Sequence, residues 1–147
     1  MISIRKITQE DKQQVLEMMR VFYDSPAVFY TAPTQILEKD IDDCISELPF
    51  IEGFVFEDSQ ALAGYAMIAP SYTTEYGGLC IWFEDIYIKP EYRRIGLATM
   101  LFDFVEKCYP TAVRFKLEVE QENEGAIATY KRNGYSISPY FEMTKER

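Results

Sequence analysis

Residues 86–100 read Ile86-Tyr87-Ile88-Lys89-Pro90-Glu91-Tyr92-Arg93-Arg94-Ile95-Gly96-Leu97-Ala98-Thr99-Met100. An apolar strand ends at Pro90 and a basic pair follows. A glycine and an alanine then open an amphipathic helix with Leu97, Leu101, Phe104, Val105 and Cys108 on one face. Helix N-termini present unpaired amides and a partial positive charge, so they hold anions. Arg93 and Arg94 oppose that dipole, with Lys89 nearby, and are unfavourable there unless an anion docks. Gly96 lets backbone approach such a ligand closely, and Ala98 keeps the next turn small. The spacing points to a polyanion site; a plain helix start with two solvated arginines is the competing reading. The phosphate loop of nucleoside triphosphatases and the three-glycine dinucleotide fingerprint are both missing.

Upstream, Leu79 to Ile88 forms one long strand, entered through a loop of Pro70, Tyr72, Glu75, Tyr76, Gly77 and Gly78. Phe50 to Phe56 and Ala61 to Ile68 read as a hairpin joined by Glu57-Asp58-Ser59-Gln60. Ile2 and Ile4 alternate as a first strand. Thr8 and Asp11 have cap spacing before a helix with Val15, Met18, Met19 and Phe22 on its apolar face, ended by Asp24-Ser25-Pro26. A second helix starts near Pro33 and carries Leu37, Ile41, Ile45 and Leu48. Downstream, Val113, Phe115, Leu117 and Val119 alternate as a strand. Asn123 caps a helix that runs to about Arg132, and Gly134 stops it. Tyr135 to Met143 reads as one or two closing strands interrupted by Pro139. The order βααβββαβαββ is mixed α/β (α+β) in a single domain, residues 1–147.

The whole-chain numbers agree with one globular domain: 147 residues, 48% hydrophobic and 27% charged. The 15 basic against 24 acidic residues give a net charge of −9, which argues against nucleic-acid binding and favours cationic partners. The chain has no histidine, which removes Ser-His-Asp and Cys-His nucleophiles and His-based metal sites. No metal is expected, and any general base must be a carboxylate, Tyr, Cys or Lys. Cys44, Cys80 and Cys108 are widely spaced at apolar-patterned positions and read as core residues in a reducing compartment. No apolar run approaches the roughly 20 residues needed to span a bilayer. No signal-peptide layout opens the sequence, so a soluble, cytoplasmic protein with no membrane partner is expected.

Arg93-x-x-Gly96-x-Ala98 after Glu84-Asp85-Ile86-Tyr87-Ile88 resembles the Gln/Arg-x-x-Gly-x-Gly/Ala signature of the GNAT family of N-acetyltransferases. The likeness continues through Asn123-x-x-Ala126-Ile127-x-x-Tyr130-x-x-x-Gly134-Tyr135 and, in element order, over essentially the whole chain. The resemblance implies a mostly antiparallel central sheet flanked by helices and acetyl-CoA as co-substrate. Its pyrophosphate would rest on the Arg93 loop, on the amides of Arg94, Ile95, Gly96, Leu97, Ala98 and Thr99. Its pantetheine arm would pair with Ile86, Tyr87 and Ile88. Asn123 matches a contact to that arm, a role compatible with plain capping, and Tyr130 matches the acid that protonates the departing thiolate.

Strand alternation places Glu84 with Trp82 and Ile86 on one face and Asp85 on the other. A carboxylate within so apolar a strand is expensive unless used, which makes Glu84 the candidate base. Gly64-Tyr65-Ala66-Met67, Phe83-Glu84-Asp85 and Tyr130-Lys131-Arg132-Asn133-Gly134 are similar to the diamine (spermidine/spermine-type) acetyltransferase branch. That likeness implies a small cationic amine acceptor, lined by Tyr23, Asp24, Glu75, Tyr76 and Asp85. A protein or peptide amine, or a non-catalytic acyl-CoA-binding module, stays open as the alternative. Homodimers are frequent among relatives, and Tyr140 to Met143 is the candidate edge strand for one.

Overall fold

The alternating apolar segments form strands and the 3.6-period segments form helices, as a computed structural model describing residues 1–59 and 61–147 records. In chain order they are β1 Ile2–Lys6, α1 Lys12–Tyr23, α2 Thr34–Ile45, β2 Glu52–Asp58, β3 Ala61–Thr73, β4 Gly78–Ile88, α3 Leu97–Cys108, β5 Arg114–Leu117 and α4 Glu124–Arg132. The strands make one sheet in sequence order. β1 to β4 run antiparallel, and β5 joins β4 in parallel. This is the expected mixed, mostly antiparallel sheet. Gln60 of the expected β2–β3 turn lies outside the described residues.

The sheet separates two apolar cores. On one face α1 and α2 bring Val15, Met18, Met19, Leu37 and Ile41 against Val55, Tyr65, Met67 and Tyr87. On the other, α3 brings Leu97, Leu101, Phe102 and Val105 against Phe54, Phe56, Ile68, Ile81 and Phe83. Each fully buried aliphatic or aromatic side chain contributes roughly 1.5–3 kcal/mol, so these faces dominate the fold's stability. α1 begins as the Thr8–Asp11 spacing predicts, after a single 3-10 turn, Gln9–Asp11, across which Asp11 Oδ2 accepts from Thr8 N at 2.8 Å. Asp11 also receives Arg5 at 2.8 Å, and Arg5 reaches Glu57 at 3.1 Å, which pins β1 and β2 to the start of α1.

Four expectations need correction. The second helix ends at Ile45, short of Leu48, because the Ser46 hydroxyl donates to Asp43 O at 2.6 Å and accepts from Leu48 N at 3.2 Å. Such local bonds compete with helix continuation. β3 runs past Ile68 to Thr73, through Pro70. β2 pairing stops at Ile68, so the proline's missing N–H falls on an edge. Cys108 is exposed at the end of α3, and only Cys80 is fully buried.

The fourth concerns the end of the chain: Tyr135 to Met143 forms no strand. Pro139 cannot donate to a ladder, and β5, the edge it would have to join, is four residues long. Tyr140 is held elsewhere, its amide on Ser138 Oγ at 3.2 Å and its hydroxyl on Glu75 at 2.6 Å. The observed order is therefore βααβββαβα.

Candidate active site

β4 and β5 part company halfway up. Their pairing covers Cys80 to Phe83 of β4 and ends at Leu117 of β5, so among the described residues Glu84 to Ile88 have no paired strand on that side. Which groups face the opening follows from the other edge. Lys89 N donates to Ala63 O at 2.8 Å, and antiparallel ladders alternate. Tyr87 and Asp85 therefore turn their backbone toward Tyr65 and Met67 of β3. Ile86 and Ile88 turn theirs into the opening, where an extended amide-bearing chain can pair with them. The Ile88 carbonyl already accepts from Arg93 Nε at 2.7 Å, and the Arg93 guanidinium lies 5.8 Å over the Tyr87 ring. Arg93 thus ties the strand end to the following turn.

That turn leaves a run of amides unpaired. Arg94 and Gly96 both hold positive φ, 64° and 90°. Gly96 caps α3 without any side-chain hydrogen bond. Among the described residues no backbone acceptor takes the amides of Arg94, Ile95, Gly96, Leu97, Ala98 or Thr99; the first amide to be paired is Met100, on Gly96 O at 3.0 Å. The space a side chain at residue 96 would enter is open, with nothing within 4 Å. A run of free donors at a positive helix end, with room beside it, fits a diphosphate.

The centre of β4 departs from simple alternation. Met67 pairs with Asp85 and Ile68 with Phe83, so Glu84 is the extra residue of a β-bulge. The strand changes phase there: Ile81 and Phe83 face the α3 core, yet so do Ile86 and Ile88. Glu84 and Ile86 consequently do not share a face, contrary to the alternation argument. Glu84 is exposed as a residue, but crowding around its carboxyl raises its pKa, and Glu142 of the tail adds to this. Glu142 also raises the pKa of Glu118, after that group's own burial.

The buried carboxylate on β4 is Asp85, 4% exposed. Its oxygens accept from Tyr23 Oη and Tyr65 Oη, each at 2.8 Å. Burial pushes its pKa up to about 6 against the lowering effect of both hydroxyls. Asp40 of α2, half-buried, is raised by its own desolvation and feels Glu84.

Tyr130 stands on α4, packed against Phe102 with ring centroids 5.9 Å apart. Burial raises its pKa, so the phenol stays protonated at neutral pH and can donate but not accept a proton. It lines a cavity of about 1300 Å³ with Trp82, Glu118, Tyr135 and Glu142. Asn123 caps α4 through Oδ1, at 3.3 Å from Ala126 N, and lines a second cavity of about 600 Å³ opposite Phe29.

The five residues proposed to line the acceptor separate. Tyr23 and Asp85 come together beside Glu84. Asp24 points away, paired with Arg20 at 3.0 Å and Thr31 at 3.0 Å. Glu75 and Tyr76 sit beyond the opposite end of β4, about 20 Å along the strand. There Arg114 bonds Glu75 at 3.0 Å and lies 4.5 Å over the Tyr76 ring. Reading the sequence missed Asp40 and Tyr65. Asp40 sits one turn before Cys44 on the face carrying Leu37 and Ile41, and a carboxylate there is a legible signal. Tyr65 is a fully buried phenol, which needs a partner for its hydroxyl. Among the described residues no cluster able to hold a metal is found, and no helix is long and apolar enough to cross a membrane.

Two relatives named thialysine N-epsilon-acetyltransferase are similar to this chain. The one from Caenorhabditis elegans is 27% identical over 135 residues, covering 88% of this chain and 79% of the relative. The one from Sus scrofa is 27% identical over 147 residues, covering 90% and 83%. The solved aminoglycoside N-acetyltransferase AAC(6')-Iy in complex with CoA superposes with a TM-score of 0.83 at 13% identity, covering 100% of this chain and 95% of that one, a likeness of fold. Residues 13–135 match the acetyltransferase (GNAT) family as a whole, a span that takes in the split strands, the donor-rich turn and Tyr130. The chain therefore belongs to the acetyltransferase (GNAT) family and is an N-acetyltransferase.

Proposed function

We propose that this chain moves an acetyl group from acetyl-CoA directly to the primary amine of a small, cationic, polyamine-like acceptor. The observation that carries the reading is the run of free amides from Arg94 to Thr99 beside the open edge of Ile86 and Ile88. The turn holds the diphosphate, and the strand edge pairs with the arm. Acetyl-CoA supplies an activated acyl thioester at the end of that arm. The Ile86 N–H polarises the thioester carbonyl as its oxygen gains charge. An alkylammonium has a pKa near ~10.4, so it must lose a proton before it attacks. Glu84 accepts that proton, directly or through a water, and the protonated Tyr130 phenol gives one to the departing sulfur.

A small cationic acceptor is supported by the negative charge around Glu84, by Asp40 and Asp85 behind it, and by the relatives' action on the ε-amine of thialysine. Thiol release from acetyl-CoA against diamines, amino acids, aminoglycosides and peptides tests this. Diamines are expected to lead; release with peptides alone would overturn the acceptor class, and none with any amine despite coenzyme binding would overturn the activity. Tyr130→Phe and Glu84→Gln are each expected to lower kcat by about 10²–10⁴-fold with acetyl-CoA binding retained. Near-wild-type turnover in both would show that the roles are wrongly assigned.

Self-association belongs to the same proposal. The tail leaves Ile137, Phe141 and Met143 at 68%, 99% and 93% exposure, and Ile137 and Phe141 share a cavity lining with β5. A second copy covers them, so light scattering at micromolar concentration should give twice the chain mass. Monomers that persist at tenfold higher concentration would contradict this.

A further inference from the structure

Asp85 is anomalous on physical grounds. It is nearly inaccessible, and among the described residues no cation faces it. From α1 comes Tyr23, from α2 Asp40 and Cys44, from β3 Tyr65, and from β4 its neighbour Glu84. An apolar side chain would pack against Val15, Met67 and Tyr87 without the desolvation cost that a lone buried carboxylate carries. Two phenols, one from a neighbouring strand and one from a helix, are instead spent on holding it. They grip the first residue after the bulge, where pairing with Met67 resumes. A bulge without such an anchor can migrate along its strand, because moving the extra residue by one place only exchanges which residue is unpaired.

We propose that Asp85, clamped by Tyr23 and Tyr65, is a positioning residue for the candidate base Glu84: it pins the bulge that turns Glu84 into the cleft and keeps a second negative charge behind it for the arriving ammonium. This rests on the reading of Glu84 as base. Burial raises both carboxyls, Asp85 to about 6, so the charge behind Glu84 is complete only above that pH.

The test is the pH profile of kcat/KM for 1,4-diaminobutane with saturating acetyl-CoA. The wild-type chain should lose activity as pH falls through about 6. Asp85→Asn keeps the shape, removes the charge, and is expected to lower kcat/KM at pH 7.5 about tenfold or more. Its acid limb moves to lower pH, because the carboxyl that titrates near about 6 is gone and Glu84 no longer has a like charge beside it. Tyr23→Phe removes a hydroxyl that favours the ionised carboxyl, so its limb moves to higher pH. Opposite displacements from two neighbouring substitutions, with KM for acetyl-CoA unchanged, are not what general loosening produces. Thermal melting of both variants identifies any that fail to fold, and the partly buried Tyr23 tolerates phenylalanine if Asp85 does not tolerate asparagine. Profiles that coincide with the wild type, in a background where Glu84→Gln is inactive, overturn this inference and leave the base intact. Near-wild-type turnover by Glu84→Gln removes the base itself, and the positioning role with it.

Discussion

Gly96→Val should weaken acetyl-CoA binding at least about 100-fold while lowering the melting temperature by only a few degrees. At a φ of 90° a residue with a Cβ is strained by roughly 1–2 kcal/mol, and a β-branched one by more. No atom lies within 4 Å of the added Cβ, so the folded chain suffers no clash and its core is untouched. The strain is relieved by moving φ toward negative values, which swings the neighbouring amides out of convergence. Each charge-assisted hydrogen bond to phosphate contributes about 1.5–3 kcal/mol, so losing two accounts for the expected factor. Calorimetric titration with acetyl-CoA, alongside a melting curve, separates the two effects. Unchanged affinity would mean that the turn before α3 does not hold the diphosphate.

The second large effect falls on stability. Gly64 sits in β3 opposite Ile88, and a Cβ there would lie 2.3 Å from the Tyr87 carbonyl oxygen and 3.1 Å from Ile88 Cα. Both are backbone atoms of the central strand, which cannot rotate away as a side-chain tip can. Gly64→Ala is therefore expected to cost about 3–5 kcal/mol, above the roughly 1–3 kcal/mol usual for overpacked core sites, because the obstructing atoms are backbone. For a chain of this size that lowers the melting temperature by roughly 10–20 °C. The strand that must move carries Ile86 and Ile88 at its open edge, so the folded fraction should also bind acetyl-CoA more weakly. Chemical denaturation checks the first part, and a loss below about 1 kcal/mol would show that β3 and β4 can separate more easily than their pairing indicates.

Most of the architecture was legible because its signals are local. Thr8 and Asp11 announce α1, Asn123 and Gly134 bound α4, and period-two runs mark β1 to β5. The donor-rich turn before α3 stood out for a related reason: arginines at a positive helix end, followed by Gly96, conflict with helix electrostatics unless an anion resolves the conflict. What escaped lies between elements. The bulge at Glu84 has no residue signature of its own, since it arises from how Phe83 and Asp85 register against Ile68 and Met67. Alternation across it consequently put the buried carboxylate at the wrong residue. Tyr23 and Tyr65 meet Asp85 across 62 and 20 residues of sequence, and nothing in their local spacing records the meeting. The tail misled for the opposite reason. Its alternation from Tyr135 to Met143 is genuine, but a strand also needs a free partner of sufficient length, and β5 within one chain is too short to serve.

The parting of β4 from β5 also bears on how the sheet responds to evolution and engineering. Sheets ordinarily resist wedges, because prising strands apart strands their hydrogen-bonding groups. Here the wedge is built in. The upper half of β4 keeps one flank permanently unzipped, so a ligand entering there completes the sheet instead of breaking it. Solvent protection of the Ile86 and Ile88 amides should accordingly be low in the free chain and rise on saturation with coenzyme, whereas Tyr87, sewn to β3, exchanges slowly in both states.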